Sequence, residues 1–253
     1  MADFVRTDIH DGIAHVTLAR PERLNAISLD LTRDLHAALV KVSADKDVRS
    51  IIFSGEGRAF CAGDDLKEFD AQAATVEATV VHIKGIQQIT RDLMFSEKFV
   101  VGAIHGFAVG GGFEWLLNCD VIVAADDLVA FFPEMEWGQF PTGAVTHLLP
   151  QAIGHQQAME LLVLGERQSA DMLARRGLVN WVVPAADVAA KAEEVARLAA
   201  SKSPFSVGHL KKLLTQDLTD GFQNALTLEE DITITAFQTE EAKARSANFP
   251  TRK

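Results

Sequence analysis

Three adjacent glycines, Gly110-Gly111-Gly112, stand just ahead of Glu114. Such a run is costly inside a long helix but suits a strand-to-helix turn, where glycine permits positive φ and lets a ligand touch the main chain. The first amides of the helix that follows have no internal acceptor, so they are free to point at an anionic oxygen. Gly111 is the best donor in this turn. A second small-residue segment, Cys61-Ala62-Gly63, follows an earlier predicted strand and offers the Ala62 amide as a partner. Two converging amides would stabilise charge building on a carbonyl oxygen, which is the chemistry of an oxyanion hole. Packing of a tight turn is the competing reading, and glycine content alone does not choose between them. A dinucleotide site is a weaker reading, because no early GxGxxG run sits in the required strand-helix context.

Carboxylates are the other reactive groups near these turns. Glu114 falls near a helix N-terminus, Glu134 follows Phe132-Pro133, and Glu136 is a third acid close by. Taken alone, each reads as an ordinary cap or ion-pair partner. The helix terminus favours ionised Glu114, whereas desolvation or a second carboxylate favours its neutral form. Asp64-Asp65 reads as a turn and capping cluster, and His105 as a loop hydrogen-bonding residue. His10, His15, His36 and His82 lie in separate segments and form no metal-ligand array, so no metal is expected.

The elements that must position these groups alternate between strand and helix. Asp3 to His10 and Gly12 to Ala19 read as strands around the turn at Asp11-Gly12. A loop from Arg20 to Ala26 precedes a helix capped by Ser28, with Leu31, Leu35, Ala38 and Leu39 on its apolar face. Val48 to Ser54, Phe99 to Ile104, Val121 to Ala124 and Val129 to Phe132 read as further strands, and Thr75 to Met94 as a long helix. Helical patterns resume at Ala144 to Leu149, Gln156 to Leu164 and Ser169 to Arg175, and Leu178 to Val183 resembles a last strand. From Asp187 onward the chain reads as helical, with a break near Ser203-Pro204 and a turn at Asp220-Gly221. Leu210, Leu213 and Leu214 read as a packing face rather than a lipid anchor. These patterns place an α/β core at residues 1–195 and a helical appendage at 196–253.

Composition narrows the function classes. The 253 residues are 48% hydrophobic, enough for a sizeable core. The formal charge of −11, from 35 acidic and 24 basic residues without a visible basic stripe, argues against nucleic acid as a partner. Cys61 and Cys119 make neither a disulfide framework nor a four-ligand metal site, and a reducing, cytoplasmic setting is expected. Met1 to Asp11 lacks the basic patch and apolar stretch of a secretory signal. Phe99 to Leu117 contains His105, several glycines and Glu114, which makes it a poor membrane span, so no membrane insertion is expected.

Several of these segments together resemble the enoyl-CoA hydratase/isomerase (crotonase) superfamily. The resemblance runs through Ile13 to Ala26, Arg58 to Leu66, His105 to Glu114, Asn118-Cys119-Asp120, Phe132-Pro133-Glu134 with Gly138, and Ala242 to Phe249. It implies a crotonase-like spiral of beta-beta-alpha units and a C-terminal helical region used in trimerisation, often with two trimers forming a hexamer. It also implies an acyl-CoA thioester substrate whose carbonyl is held by the Ala62 and Gly111 amides, with coenzyme A carried by the substrate and no separate cofactor. The pantetheine arm then passes between the two glycine-rich regions, placing Ala62, Gly63, Asp64 and Leu66 on one side and Gly110, Gly111, Trp137 and Phe140 on the other. Arg23, Lys67, Lys243 and Arg245 are the cations within reach of the coenzyme phosphates, and each is equally readable as a solvated surface residue. Glu114 and Glu134 match the two catalytic glutamates of the hydratases, so hydration of a short, medium or aromatic 2-enoyl-CoA is the leading expectation. Double-bond isomerisation by Glu134 alone, thioester hydrolysis and carbon–carbon cleavage are alternatives within the superfamily. A non-catalytic CoA-binding assembly protein is the alternative from another class. Glu136 reads as a surface residue, and Trp137, Gln139, Phe140 and Thr142 depart from the small or aliphatic residues common around this part of many hydratases.

Overall fold

The computed structural model describes residues 4–216 and 219–247. Its strands, in chain order, are β1 (Val5–His10), β2 (Ile13–Leu18), β3 (Ser50–Gly55), β4 (Phe99–Ile104), β5 (Phe107–Val109), β6 (Val121–Ala125), β7 (Val129–Phe131), β8 (Gln168–Ser169) and β9 (Trp181–Val183). The α-helices are α1 (Leu29–Ala44), α2 (Phe69–Gln72), α3 (Val76–Met94), α4 (Gly111–Leu117), α5 (Val145–Ile153), α6 (His155–Met159), α7 (Ala170–Arg175), α8 (Val188–Ala200), α9 (Pro204–Gln216), α10 (Thr219–Gln238) and α11 (Glu240–Ala247).

The main sheet runs β1-β2-β3-β4-β6-β9. Only its first pair is antiparallel, closed by Asp11 and Gly12, both at positive φ, as a two-residue hairpin turn requires. From β2 onward the pairs are parallel and both faces are covered, so these strands carry nearly unbroken apolar runs. Alternate side chains serve opposite cores. Val16, Ile51, Phe53, Val100 and Ile104 join the larger cluster under α1, α3 and α4, while Ile13, Ile52, Val101 and Val123 meet Val188, Ala192 and Ala196 of α8.

After β4 and again after β6 the chain turns into a short strand of a second sheet, β5-β7-β8, before entering the next helical segment. Cys61, beyond β3, makes the corresponding bridge to Ala108. Two strands and a helix per turn of the chain is the expected beta-beta-alpha spiral, and it stacks the turns at 62–64, 110–111 and 133–134 on one edge. The short strands β5 and β8 escape sequence reading, since Phe107–Val109 is enclosed between Gly106 and Gly110 and reads as part of that loop, and the two residues of β8 carry no periodicity.

The division drawn at 195/196 falls inside α8, whose Val195 and Ala196 both pack on the sheet. The turn expected at Asp220-Gly221 is absent, because both residues lie in the first turn of α10. Gly221 serves close packing there, since an added Cβ would collide with the His147 ring. Helix α9 docks through Lys211 rather than its leucines. The Lys211 ammonium donates to the carbonyls of Leu93 and Lys98 and to Asp120 Oδ2 at 2.7 Å, whereas Leu210, Leu213 and Leu214 are exposed. Helix α10 then folds back across α3 and α5. Phe249, the end of the C-terminal match, lies outside the described residues.

Candidate active site

The segment from Arg20 to Ala26 is what holds the first glycine-containing loop. Leu24 and Asn25 both adopt positive φ, which tightens the segment until it becomes a hydrogen-bonding hub. Buried Asn25 accepts from the Arg20 amide and donates to the carbonyls of Glu56 and Ala59 at 2.9 and 2.8 Å. The Arg20 guanidinium pairs with Asp65 at 2.9 Å. Leu24 O accepts the Ala62 amide at 3.0 Å. This last bond corrects the expected donor, because an N–H committed to Leu24 has no hydrogen left for a ligand. The free amide is two residues on. Ile27 bridges to the loop by donating to Gly63 O and accepting from Asp65 N, so the intervening Asp64 N–H points to the opposite side and has no acceptor among the described residues.

The second donor comes from the glycine run. Gly110 takes φ +52° and ψ −123°, a conformation closed to residues with a Cβ, and an added Cβ would lie 2.7 Å from Glu134 Oε1. Gly111 begins α4, so its amide has no acceptor within the helix. The two loops touch directly, since a Cβ on Gly63 would meet Val109 O at 2.8 Å. Asp64 and Gly111 therefore face one cavity of about 430 Å³ with their amides unused.

Both expected glutamates lie against the same turn. Glu114 is almost fully buried on α4 and accepts from the Thr142 amide at 2.9 Å, from the Thr142 hydroxyl at 3.3 Å and from the Gly143 amide. Burial nonetheless outweighs these donors and pushes its carboxyl up to about 7. Glu134 starts a short 3-10 helix, Glu134–Trp137, beside Gly110. Its Oε2 is sealed from solvent with no hydrogen-bond partner among the described residues, and burial followed by the charge of Glu114 holds its carboxyl well above the usual carboxylate range. The site thus pairs a carboxyl that ionises near neutrality with a second one that burial and the first one's charge both make a weaker acid. Cys61, also buried, is pushed up to about 12, which leaves a neutral thiol and no nucleophile.

Ala62, Gly63, Asp64, Leu66, Gly110, Gly111, Trp137 and Phe140 all line this cavity. Glu136 is exposed at its rim. The expected phosphate contacts are not gathered into one cluster. Arg23 and exposed Lys67 belong to the segments joined by the Arg20–Asp65 pair, whereas Lys243 and Arg245 sit on α11 and pair with Glu240 and Glu241. Arg245 also donates to Glu136 O at 2.6 Å, fastening α11 to the Glu134 turn. His105 makes the expected loop bond, its Nε2 lying 2.9 Å from Gly57 O.

Three participants were not singled out for the site from sequence. Glu229 of α10 is buried and accepts from Ala144 N, Thr146 N and Thr146 Oγ1 at 2.6, 3.0 and 2.5 Å. It caps α5 and anchors the 142–146 segment whose preceding amides hold Glu114. Thr233 and Phe237, also of α10, close one end of the cavity. A glutamate and an aromatic on a helical pattern carry no signal of such a role until α10 is seen folded over the site.

Residues 8–252 match the model of the family described as enoyl-CoA hydratase/isomerase. A probable enoyl-CoA hydratase of Bacillus subtilis is 34% identical over 91% of this chain and 89% of its own length. A short-chain-enoyl-CoA hydratase of Clostridium acetobutylicum is 31% identical, covering 94% of this chain and 90% of that one. Among solved structures, an enoyl-CoA hydratase/isomerase from Xanthobacter autotrophicus Py2 superimposes with a TM-score of 0.91 at 29% identity, covering 100% of this chain and 94% of that one.

Proposed function

Because this chain belongs to the enoyl-CoA hydratase/isomerase family, we propose that it is a hydratase adding water across the C2–C3 double bond of a 2-enoyl-CoA. The observation that carries the reading is the pair of carboxyls raised by burial, Glu134 on the cavity wall and Glu114 packed behind lining residues Gly111 and Thr142, beside two unused amides. The thioester oxygen accepts from Asp64 N and Gly111 N, which take up the negative charge that builds as C3 is attacked. Ionised Glu114 takes a proton from water, the remaining hydroxide oxygen bonds to C3, and Glu134 gives its proton to C2. The proton gained by Glu114 and the one lost by Glu134 re-equilibrate through solvent, so each turnover consumes one water and nothing else. This chemistry uses no cofactor, since coenzyme A travels with the substrate.

The rest of the reading concerns assembly and setting. Exposed Phe205, Leu210, Leu213 and Leu214 give α9 an apolar face of the kind a homotrimer, or a hexamer of two trimers, would cover. Arg23, Lys67, Lys243 and Arg245 are the cations assigned to the coenzyme phosphates. A reducing, cytoplasmic setting suits Cys61 and Cys119, both free thiols. Among the described residues, no helix is long and apolar enough to cross a membrane.

Incubating the protein with a panel of 2-enoyl-CoAs in H₂¹⁸O and D₂O tests the reaction. Oxygen-18 at C3 with deuterium at C2 is the expected product. Deuterium with a migrated double bond and no added oxygen would replace hydration by isomerisation, and release of free CoA would replace it by hydrolysis.

A further inference from the structure

His82 sits on the face of α3 that also presents Ile83 and Ile86 to the cavity, where the helical pattern calls for an apolar residue. It is only 1% exposed, and neither ring nitrogen has a hydrogen-bond partner among the described residues. Buried polar groups in native proteins are normally paired, so an unpaired imidazole lining a cavity marks where a ligand atom belongs. Its Nε2 lies 3.3 Å from Asp64 Oδ1, in an orientation that makes no hydrogen bond between them. The Phe237 ring stands 6.5 Å away at 48° and fixes the other side of the imidazole. The result is one donor–acceptor wall, His82 with Asp64, set one side chain's length from the Asp64 amide.

We infer that His82 and the Asp64 carboxylate form an acyl subsite for a neutral hydroxyl group, so that the preferred substrates are CoA esters hydroxylated on the acyl chain beyond C3. The inference rests on the acyl-CoA reading of the cavity. A hydroxyl matches this wall because one oxygen can accept from the imidazole and donate to the carboxylate. An anionic group does not match it, since the Asp64 carboxylate is half of this wall and Glu136 lines the same cavity. Arg167, the cation on the lining, is exposed and lies over the Phe131 ring at 5.4 Å, on the side of the Glu134 turn rather than of α3. A plain alkyl chain would displace water from His82 and return no hydrogen bond. A pocket built to hydrogen-bond a substrate hydroxyl discriminates strongly against the analogue without it.

Calorimetric titration with saturated CoA esters, which bind without turnover, reads this directly. Butanoyl-, pentanoyl- and hexanoyl-CoA are compared with their 4-, 5- and 6-hydroxy counterparts. At one chain length the wild type is expected to bind the hydroxylated ester at least about tenfold more tightly, and His82→Leu to bind the two members of that pair equally. His82→Gln, which keeps a donor, is expected to retain part of the preference. Hydroxylated and plain esters bound within threefold of each other at every length by the wild type would overturn the inference, whether or not the variants fold. An undiminished preference in a folded His82→Leu enzyme would overturn it too. Failure of every ester to bind would instead remove the acyl-CoA reading on which it rests.

Discussion

Replacing Glu114 by glutamine is expected to abolish hydration and, above neutral pH, to make the protein more stable. The carboxyl titrates near 4.5 in an unfolded chain and near 7 in the folded one, with burial as the main cause. The sign follows from proton counting. Between these values the unfolded chain has released the proton and the folded chain has kept it, so stability falls as pH rises across the window. The stabilising contribution is whole below pH 4.5 and lost by about pH 7, and the gap corresponds to roughly 3 kcal/mol. Glutamine does not titrate, and it fits the site. Its oxygen accepts from the Thr142 amide and its NH₂ donates to the Thr142 hydroxyl, two of the three groups that contact Glu114 now. Loss of the Glu114 charge also relieves Glu134 and Glu229, whose carboxyls it raises, and this acts in the same direction. Urea denaturation of both proteins at pH 4.5 and pH 8, at one protein concentration, measures the effect. The variant should be about as stable as the wild type at pH 4.5 and up to about 3 kcal/mol more stable at pH 8, while the hydration rate falls at least about 100-fold. A stability difference that is equal at the two pH values, or larger at pH 4.5, would refute the assignment of Glu114 as a desolvated base.

Gly110→Ala forces a side chain into a glycine-only conformation and against Glu134 Oε1. Calorimetric melting should show a loss of about 1–3 kcal/mol, and kinetics a fall in kcat much larger than any rise in KM. Glu229→Ala strips the acceptors from Ala144 N and Thr146 N, which should cost about 2–6 kcal/mol in denaturant titrations at one to three per orphaned amide. The folded fraction of that variant should also lose kcat, because the segment it anchors carries the donors to Glu114.

The amino-acid sequence by itself determined the local elements and the chemistry available to them. Nearly unbroken apolar runs marked β2 to β4 and β6, Ser28 capped α1 as its hydroxyl predicts, and the periodicity of Val76–Met94 marked α3 almost to the residue. The glycine run and the two glutamates were visible because their side-chain chemistry, or lack of it, is written residue by residue. Which amide is free was decided only in three dimensions. Ala62 and Asp64 are equally good donors in a one-dimensional reading, and the parallel bridge to Ile27 together with the bond to Leu24 O separates them. A helix terminus and desolvation pull the acidity of Glu114 in opposite directions, and only the fold shows that burial outweighs the terminus and the Thr142 and Gly143 donors together. Glu229, Phe237 and the unpaired imidazole of His82 gained their meaning when α10 folded across α3 and α5. Burial and hydrogen-bond partnership are set by residues distant in sequence, 28 positions away for Glu114 and 85 for Glu229, and no local pattern carries that information.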